Sequence, residues 1–187
     1  MDAAAPLDLL VERVRDHLPN NEAAVRDLLA QCLRDSEGLS LAEVEVEVSS
    51  GTKRIDIIVH PLATGFEIKY HRPGPTGASR NMTKQYGDLL ADARKLAAAS
   101  LRERYLVLLT DRAGFTHVRN KSLLPTVWDR RREVTGARVR SQALTAVNAA
   151  TARGKWIDIT TQLAWRSGDV GPDRMTGLAW RVEPIDG

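Results

Sequence analysis

The spacing of apolar residues predicts three amphipathic helices in the first half of the chain. Apolar side chains at every third or fourth position form one stripe along a helix. Such stripes cover residues 7–18, 25–33 and 82–97. Asn20 or Asn21 is suited to begin the second helix, and Gly38 is suited to end it. We therefore expect two helices before a central β region and one helix after it.

Alternation of apolar and polar residues predicts three strands in that central region. Residues 44–48 alternate valine with glutamate, which is the pattern of a half-buried strand. The runs 55–60 and 66–71 flank a break between Pro61 and Gly65, and this predicts a β-hairpin with a short loop. Because side chains alternate along a strand, we expect the apolar residues of the hairpin to share one core-facing side: Ile55, Ile57, Val59, Phe66, Ile68 and Tyr70.

The opposite side of this hairpin carries two acids and a lysine. If the loop closes across His60 and Gly65, Asp56 lies opposite Lys69, with Glu67 one diagonal away. Two carboxylates and an ammonium group would then meet on a rigid scaffold.

The run from Tyr105 to Leu109 is apolar throughout, as expected of a strand buried on both faces of a sheet. The preceding helix provides a crossover that allows this strand to pair in parallel. We therefore predict an α/β fold (α+β, with a mixed sheet) with the order helix, three strands, helix, strand. The core spans about residues 20–112, and residues 113–187 form a basic C-terminal elaboration of the same single domain.

The C-terminal elaboration has weaker patterns. They predict a short helix over Leu123–Trp128 kinked at Pro125, a strand holding Arg138 and Arg140, and a helix over 141–152. Three further strands are predicted over 156–160, 162–166 and 178–182. We expect Trp165 and Trp180 to pack in a terminal hairpin, with base stacking or a dimer contact as alternatives.

Composition excludes several classes of function. None of the apolar runs approaches the roughly 18 residues needed to span a membrane, and the acidic N-terminal stretch is unlike a secretory signal. A single cysteine, Cys32, cannot form an internal disulfide, so we expect a cytoplasmic protein. The four histidines are scattered, and the sequence contains no zinc spacing, serine-hydrolase elbow, P-loop or dinucleotide motif.

Asp56 on one predicted strand, followed across a short turn by Glu67-x-Lys69 on the next, resembles the active-site signature of the PD-(D/E)XK nuclease superfamily. Ile55 stands where a proline often precedes the aspartate in that group. The resemblance implies a restriction endonuclease-like αβββαβ core and a metal-dependent endonuclease that hydrolyses phosphodiester bonds, with DNA as the favoured substrate. It also implies that Asp56, Glu67 and the main-chain carbonyl of Ile68 hold Mg²⁺ or Mn²⁺. Lys69 would orient the attacking water.

Three other residues are weaker candidates for the site. Glu22 either faces the hairpin as an additional acid or only favours the dipole of its helix. Gln85 resembles a residue that several members of the superfamily place near the catalytic centre, although a helix-flank amide is the simpler interpretation. Glu47 is a spare metal-site candidate on a strand face that we otherwise expect to be solvated.

Basic residues supply candidate nucleic-acid contacts, because the net charge of +3 is modest and its distribution must provide any affinity. They follow the hairpin and recur in the C-terminal elaboration: Arg72, Arg80, Lys84, Arg130, Arg131 and Arg132. A solvated surface with no partner is the alternative. A homodimer would supply the two sites needed to cut both strands. Two competing hypotheses are a non-catalytic module that binds nucleic acid or protein, and a protein whose C-terminal half docks a partner subunit.

Overall fold

The computed structural model describes residues 3–15, 18–50, 53–71, 81–142, 144, 158–169 and 175–184. These residues contain five α-helices, one 3₁₀ turn (His60–Leu62) and seven strands. The helices are α1 (Ala4–Val14), α2 (Glu22–Glu37), α3 (Met82–Ala97), α4 (Arg112–Lys121) and α5 (Gly136–Ser141). The strands are β1 (Val44–Ser50), β2 (Lys53–Val59), β3 (Thr64–His71), β4 (Glu103–Thr110), β5 (Arg131–Val134), β6 (Ile159–Arg166) and β7 (Thr176–Pro184). None of the described helices combines the length and apolar character required to cross a membrane.

All seven strands form one mixed sheet in the order β1-β2-β3-β4-β7-β6-β5. Strands β3 and β4 pair in parallel, and α3 is the helix that connects them. The other neighbouring pairs are antiparallel. The predicted α/β fold with a mixed sheet is therefore confirmed. The C-terminal strands continue this sheet from β4 outward, so the C-terminal half shares the core of the N-terminal half.

Helices cover both faces of the sheet. One hydrophobic cluster joins α1 and α2 to one face, and a second joins α3, α4 and α5 to the other. Trp180 and Trp165 are buried in these two clusters, one on each face. Their indole N–H groups donate to the Pro125 carbonyl at 2.6 Å and to Asp8 Oδ1 at 2.8 Å. Both tryptophans therefore pack in the core, as expected.

The ends of α2 follow from its sequence. Asn21 accepts a hydrogen bond from the Ala24 N–H at 2.8 Å, which satisfies a free donor of the first turn. Gly38 ends the helix in the left-handed conformation with φ +67°, which glycine adopts without steric cost. The cap fixes Glu22 as the first residue of the helix, and its position matters for the site described below.

The C-terminal half differs from the sequence predictions in four places: α4, residues 123–128, β5, which was not predicted, and α5. Helix α4 was not predicted, because the charged residues of Arg112–Lys121 obscure the short apolar stripe that the Asp111 cap introduces. Residues 123–128 form an irregular connection rather than a helix. Arg138 and Arg140 lie in α5 rather than in a strand, because Thr135 caps that helix by accepting from the Arg138 N–H.

The predictions for the terminal strands agree better with the structure. Residues 162–166 and 178–182 lie in β6 and β7, as expected. The predicted helix over 141–152 falls mostly outside the described residues, and so do residues 156 and 157 of the predicted strand over 156–160.

The hairpin strand β2 changes face at Asp56. Ile57 and Val59 pack in the cluster beneath α1 and α2, whereas Ile55 packs in the cluster beneath α3. The neighbouring strand β1 changes face at the same level, because Glu47 has a left-handed φ of +58°. Val46 therefore packs against one hydrophobic cluster and Val48 against the other. The expectation that Ile55 shares a face with Ile57 was therefore wrong, because the backbone is irregular at this level of the sheet.

Candidate functional site

The β2–β3 hairpin opens into a fork at the level of Asp56 and Glu67. Its ladder pairs Val59 with Thr64 and ends where Ile57 pairs with Phe66. Continuing this register puts Asp56 beside Glu67 rather than opposite Lys69. The predicted register was therefore wrong, because the 3₁₀ turn makes the loop close across Val59 and Thr64.

Two carboxylates occupy the space that β2 leaves beside β3. The Ile68 N–H donates to Asp56 Oδ2 at 2.8 Å, and the Tyr70 N–H donates to Glu22 Oε2 at 3.2 Å. Alternate residues of a strand point their N–H groups to the same side, so both donors face the open fork. Each carboxylate accepts the hydrogen bond that a neighbouring strand would otherwise accept. Because buried N–H groups require acceptors, these bonds hold the two carboxylates in place.

Glu67 is almost completely buried, with 1% of its surface exposed. Its Oε2 lies 2.5 Å from Lys95 Nζ of α3. Its Oε1 has no hydrogen-bond partner among the described residues. Burial, together with the nearby Asp56 and Asp92, raises the pKa of Glu67 to about 8, and the Lys95 ammonium only partly opposes this.

Lys69 lies between two acids from different helices. Its Nζ is 2.9 Å from Asp92 Oδ2 on α3 and 3.2 Å from Glu22 Oε1 on α2. Burial lowers the pKa of Lys69, but the two carboxylates outweigh burial and the pKa is raised. The lysine is therefore a fixed positive charge at neutral pH, and its side chain links helices on opposite faces of the sheet.

We call the six charged side chains at the fork the fork cluster: Glu22, Asp56, Glu67, Lys69, Asp92 and Lys95. The structure thus places four of the predicted residues together, three on the hairpin and one at the start of α2. Asp92 and Lys95 were not predicted. Lys95 also contacts Asp92, with 3.4 Å between Nζ and Oδ1, so the cluster is continuous.

A signal for Asp92 was present in the sequence. Asp92 is seven residues beyond Gln85, and about 100° of rotation per residue puts both on nearly the same helix face. The helix face that carries Gln85 at the start of α3 therefore also carries an acid, Asp92, two turns later. Lys95 follows one turn later, at the spacing that allows an ion pair with Asp92.

Gln85 itself lies apart from the fork cluster. It lines a small pocket with His71, Met82 and His117, beyond the Lys69 end of β3. Gln85 Oε1 and His117 Nε2 have no hydrogen-bond partners among the described residues. Gln85 therefore lines this pocket, whose lining residues include none of Asp56, Glu67 and Lys69.

The carboxylate of Glu47 forms ion pairs with two arginines and does not belong to the fork cluster. Its Oε1 lies 2.6 Å from Arg26 Nη1, and its Oε2 contacts Arg54. His60, at the hairpin turn, is exposed and pairs with Glu45 at 2.7 Å. Glu47 lies level with Asp56 on the neighbouring strand β1, but its carboxylate pairs with the two arginines, and no salt bridge joins Glu47 or His60 to Asp56 or Glu67 among the described residues.

The predicted nucleic-acid contacts have different environments. Arg72 and Arg80 lie outside the described residues. Lys84 is exposed in the first turn of α3. Arg131 pairs with Glu183 at 2.8 Å, Arg132 donates to the Ser122 carbonyl, and Arg130 is exposed.

The donors at the fork are chemically suited to Mg²⁺. In the described part of the chain there is no group of three or more His, Cys, Asp or Glu side chains that could hold a metal ion. Mg²⁺ does not require such a group, because it commonly keeps several waters and binds one or two carboxylates. Asp56, the unpaired Oε1 of Glu67 and the Ile68 carbonyl form a set of that kind, since N–H and C=O of a strand residue point to the same side.

No family model, curated protein or solved structure matches this chain. The geometry and chemistry of the fork cluster are therefore the basis for inferring its function.

Proposed function

We propose that the chain is a metal-dependent endonuclease with a restriction endonuclease-like core, acting on phosphodiester bonds of DNA. The observation that carries this proposal is the meeting of Asp56, Glu67 and Lys69 where β2 and β3 separate. The order α2-β1-β2-β3-α3-β4 supports it independently, because it repeats the αβββαβ succession that the resemblance implies.

The residues that would hold Mg²⁺ or Mn²⁺ are Asp56, Glu67 and the main-chain carbonyl of Ile68. A divalent cation there supplies positive charge to a phosphate and activates water for attack. Glu67 already carries charge compensation from Lys95, at 2.5 Å. Cation binding therefore competes with a lysine for this carboxylate and is expected to favour its ionised form.

Lys69 is positioned to act on the substrate itself. Glu22 and Asp92 hold its ammonium group from two sides, which restricts a flexible side chain to one orientation. A fixed donor beside a phosphate orients the attacking water and stabilises the charge that develops on phosphoryl oxygens. Glu22 and Asp92 are positioning residues in this scheme.

One observation favours a second function, a non-catalytic nucleic-acid- or protein-binding module on the same fold. Both lysines of the fork cluster are engaged by acids, as in a purely structural ion-pair cluster. The two functions differ in thermal melting. A cation site stabilises the folded chain by mass action when Mg²⁺ or Mn²⁺ is added, whereas an ion-pair cluster does not.

The direct test is cleavage of supercoiled plasmid and of labelled oligonucleotides with Mg²⁺, with Mn²⁺ and with chelator. We expect nicking or linearisation that requires the cation and is absent with chelator. Salt-sensitive DNA binding without cleavage under all three conditions would support the binding module instead. The same samples, analysed by sedimentation, test the homodimer that double-strand cleavage favours.

A further inference from the structure

The connection between α4 and β5 displays an unusual apolar side chain. Trp128 is 56% exposed and its neighbour Val127 is 58% exposed. Among the described residues, the only other large hydrophobic side chain that is strongly exposed is Leu41. A large tryptophan normally gains stability from burial, so packing alone does not account for one that is more than half exposed beside an exposed valine.

The turn that carries Trp128 is anchored on both sides. Before it, the Leu124 N–H donates to the Tyr86 hydroxyl at 3.2 Å, and the Pro125 carbonyl accepts from buried Trp180. After it, the Arg130 carbonyl accepts from the Leu163 N–H. Asp129 takes a left-handed φ of +55° within the turn. The exposed indole is therefore held on a fixed base.

Three arginines that follow Trp128 in the chain lie near one another, in a segment that also carries Asp129 and Glu133. We use the name arginine edge for Trp128 together with Arg130, Arg132 and Arg138. None of these three arginines forms a salt bridge with a described residue, since Arg132 and Arg138 donate only to main-chain carbonyls. Burial and the charges of Arg130 and Arg138 lower the pKa of Arg132, which indicates mutual repulsion at this edge. The surface consequently favours an anionic partner.

The sheet register relates the two regions through Arg131, between Arg130 and Arg132, and Phe66, which precedes Glu67. Paired residues run in one row from Arg131 through Gln162, Arg181 and Tyr105 to Phe66, the residue before Glu67. The row crosses four strand spacings, or about 19 Å. The connection before Arg131 packs on the α3 side through Tyr86 and Trp180, and Glu67 contacts α3 on that same side.

We propose that the arginine edge binds single-stranded DNA, with Trp128 stacking on an unpaired base and the arginines contacting phosphates. Base–aromatic stacking combined with a basic groove is the general mode of single-strand binding. This inference rests on the proposed function, because it assigns the substrate class of the same site: DNA with an unpaired segment that extends from the fork cluster to the arginine edge.

The test measures binding in chelator, so that it does not depend on cleavage. Fluorescence anisotropy compares labelled oligothymidylate with a duplex of equal length, for the wild-type chain, Trp128→Ala and Trp128→Phe. We expect Trp128→Ala to weaken oligothymidylate binding by about 5- to 150-fold, with duplex binding changed by less than about twofold. Trp128→Phe should recover part of the loss because its ring still stacks.

The matched control is Leu41→Ala, which removes an exposed apolar side chain just before β1, at the opposite edge of the sheet. It should leave binding of both oligonucleotides unchanged. Unaltered oligothymidylate binding by Trp128→Ala would overturn the proposal, as would an equal loss for duplex. A dimer that becomes monomeric in Trp128→Ala, with unchanged DNA binding, would also overturn it by assigning the surface to a second copy. If the wild-type chain did not cleave DNA, the proposed nuclease function would be contradicted, but the binding result would stand.

Discussion

The fork cluster and the arginine edge concentrate charge in opposite ways. In the fork cluster, acids outnumber lysines, each lysine is held by carboxylates, and Glu67 is almost fully buried. At the arginine edge, three guanidinium groups have no carboxylate partner among the described residues and lie near the surface. Buried charges require partners because desolvation is costly, whereas exposed charges do not. Under the proposed function, the fork cluster would hold reacting groups in place and the arginine edge would bind a polyanion.

The largest expected effect is on catalysis, from Lys69→Met. This change removes the ammonium group but keeps most of the side-chain volume, and we expect cleavage to fall by about 10²–10³-fold. Binding of DNA in chelator should be largely intact, since most of the affinity for DNA comes from many phosphate contacts and Lys69 would supply only one of them. Initial rates on labelled DNA provide the measurement. Wild-type cleavage by Lys69→Met would remove Lys69 from the mechanism.

The second largest effect is the pH dependence of the free energy of unfolding, to which Glu67 contributes because its pKa is raised in the folded chain. Its pKa is about 8 in the folded chain against an ordinary 4.5, so between these values the folded state binds a proton that the unfolded state lacks. Stability should therefore fall as pH rises through this window, by up to about 1.4 kcal/mol per pH unit. Urea unfolding from pH 5 to pH 8 measures this slope.

Glu67→Gln isolates that contribution, because a neutral amide cannot titrate. The variant should lose the Glu67 part of the slope. The control is Glu43→Gln, since hydrogen bonds from Ser40 lower the pKa of Glu43 and it titrates below this window. Identical slopes for wild type and Glu67→Gln would show that Lys95 keeps Glu67 ionised throughout.

A smaller effect is expected from the cap of α2. Asn21→Ala removes the acceptor for the Ala24 N–H and should cost about 1 kcal/mol. Asn81→Ala, which removes the equivalent cap of α3, is the matched control with a similar cost. Only the first change loosens the turn that carries Glu22, so we expect Asn21→Ala to reduce cleavage more. Equal activities would indicate that Glu22 does not position Lys69.

The smallest effect on stability should come from the arginine edge. Arg130→Ala removes an exposed side chain that has no ion pair with a described residue, and we expect the free energy of unfolding of the variant to stay within about 0.5 kcal/mol of wild type. DNA binding should nevertheless weaken, and the slope of log affinity against log salt should decrease in magnitude by about one. Titrations at several salt concentrations test this. If Arg130→Ala lowered the free energy of unfolding as much as substitutions in the fork cluster do, the proposed difference between the two regions would be contradicted.

Local patterns in the sequence were sufficient for α2, α3, β4 and the hairpin, because each depends on periodicity, caps and turn residues close in the chain. The partners of Lys69 and Glu67 were not accessible in the same way. The spacing from Gln85 gives the helix face of Asp92 and Lys95, but their contacts with Lys69 and Glu67 depend on the long-range packing of α3 on β3, which the local sequence does not specify. The change of face at Asp56 was also missed, since strict alternation assumes a regular strand.

The measurement that tests the central claim most directly is cleavage by Asp56→Asn, with Glu45→Gln as control, in Mg²⁺, in Mn²⁺ and in chelator. The asparagine oxygen can still accept from the Ile68 N–H, so the fork should keep its shape while losing one charge. Glu45 pairs with His60 at the exposed turn, away from the fork cluster. We expect cation-dependent cleavage by wild type and Glu45→Gln and none by Asp56→Asn. Equal cleavage by Asp56→Asn and wild type would contradict the assignment of the fork cluster as the catalytic site.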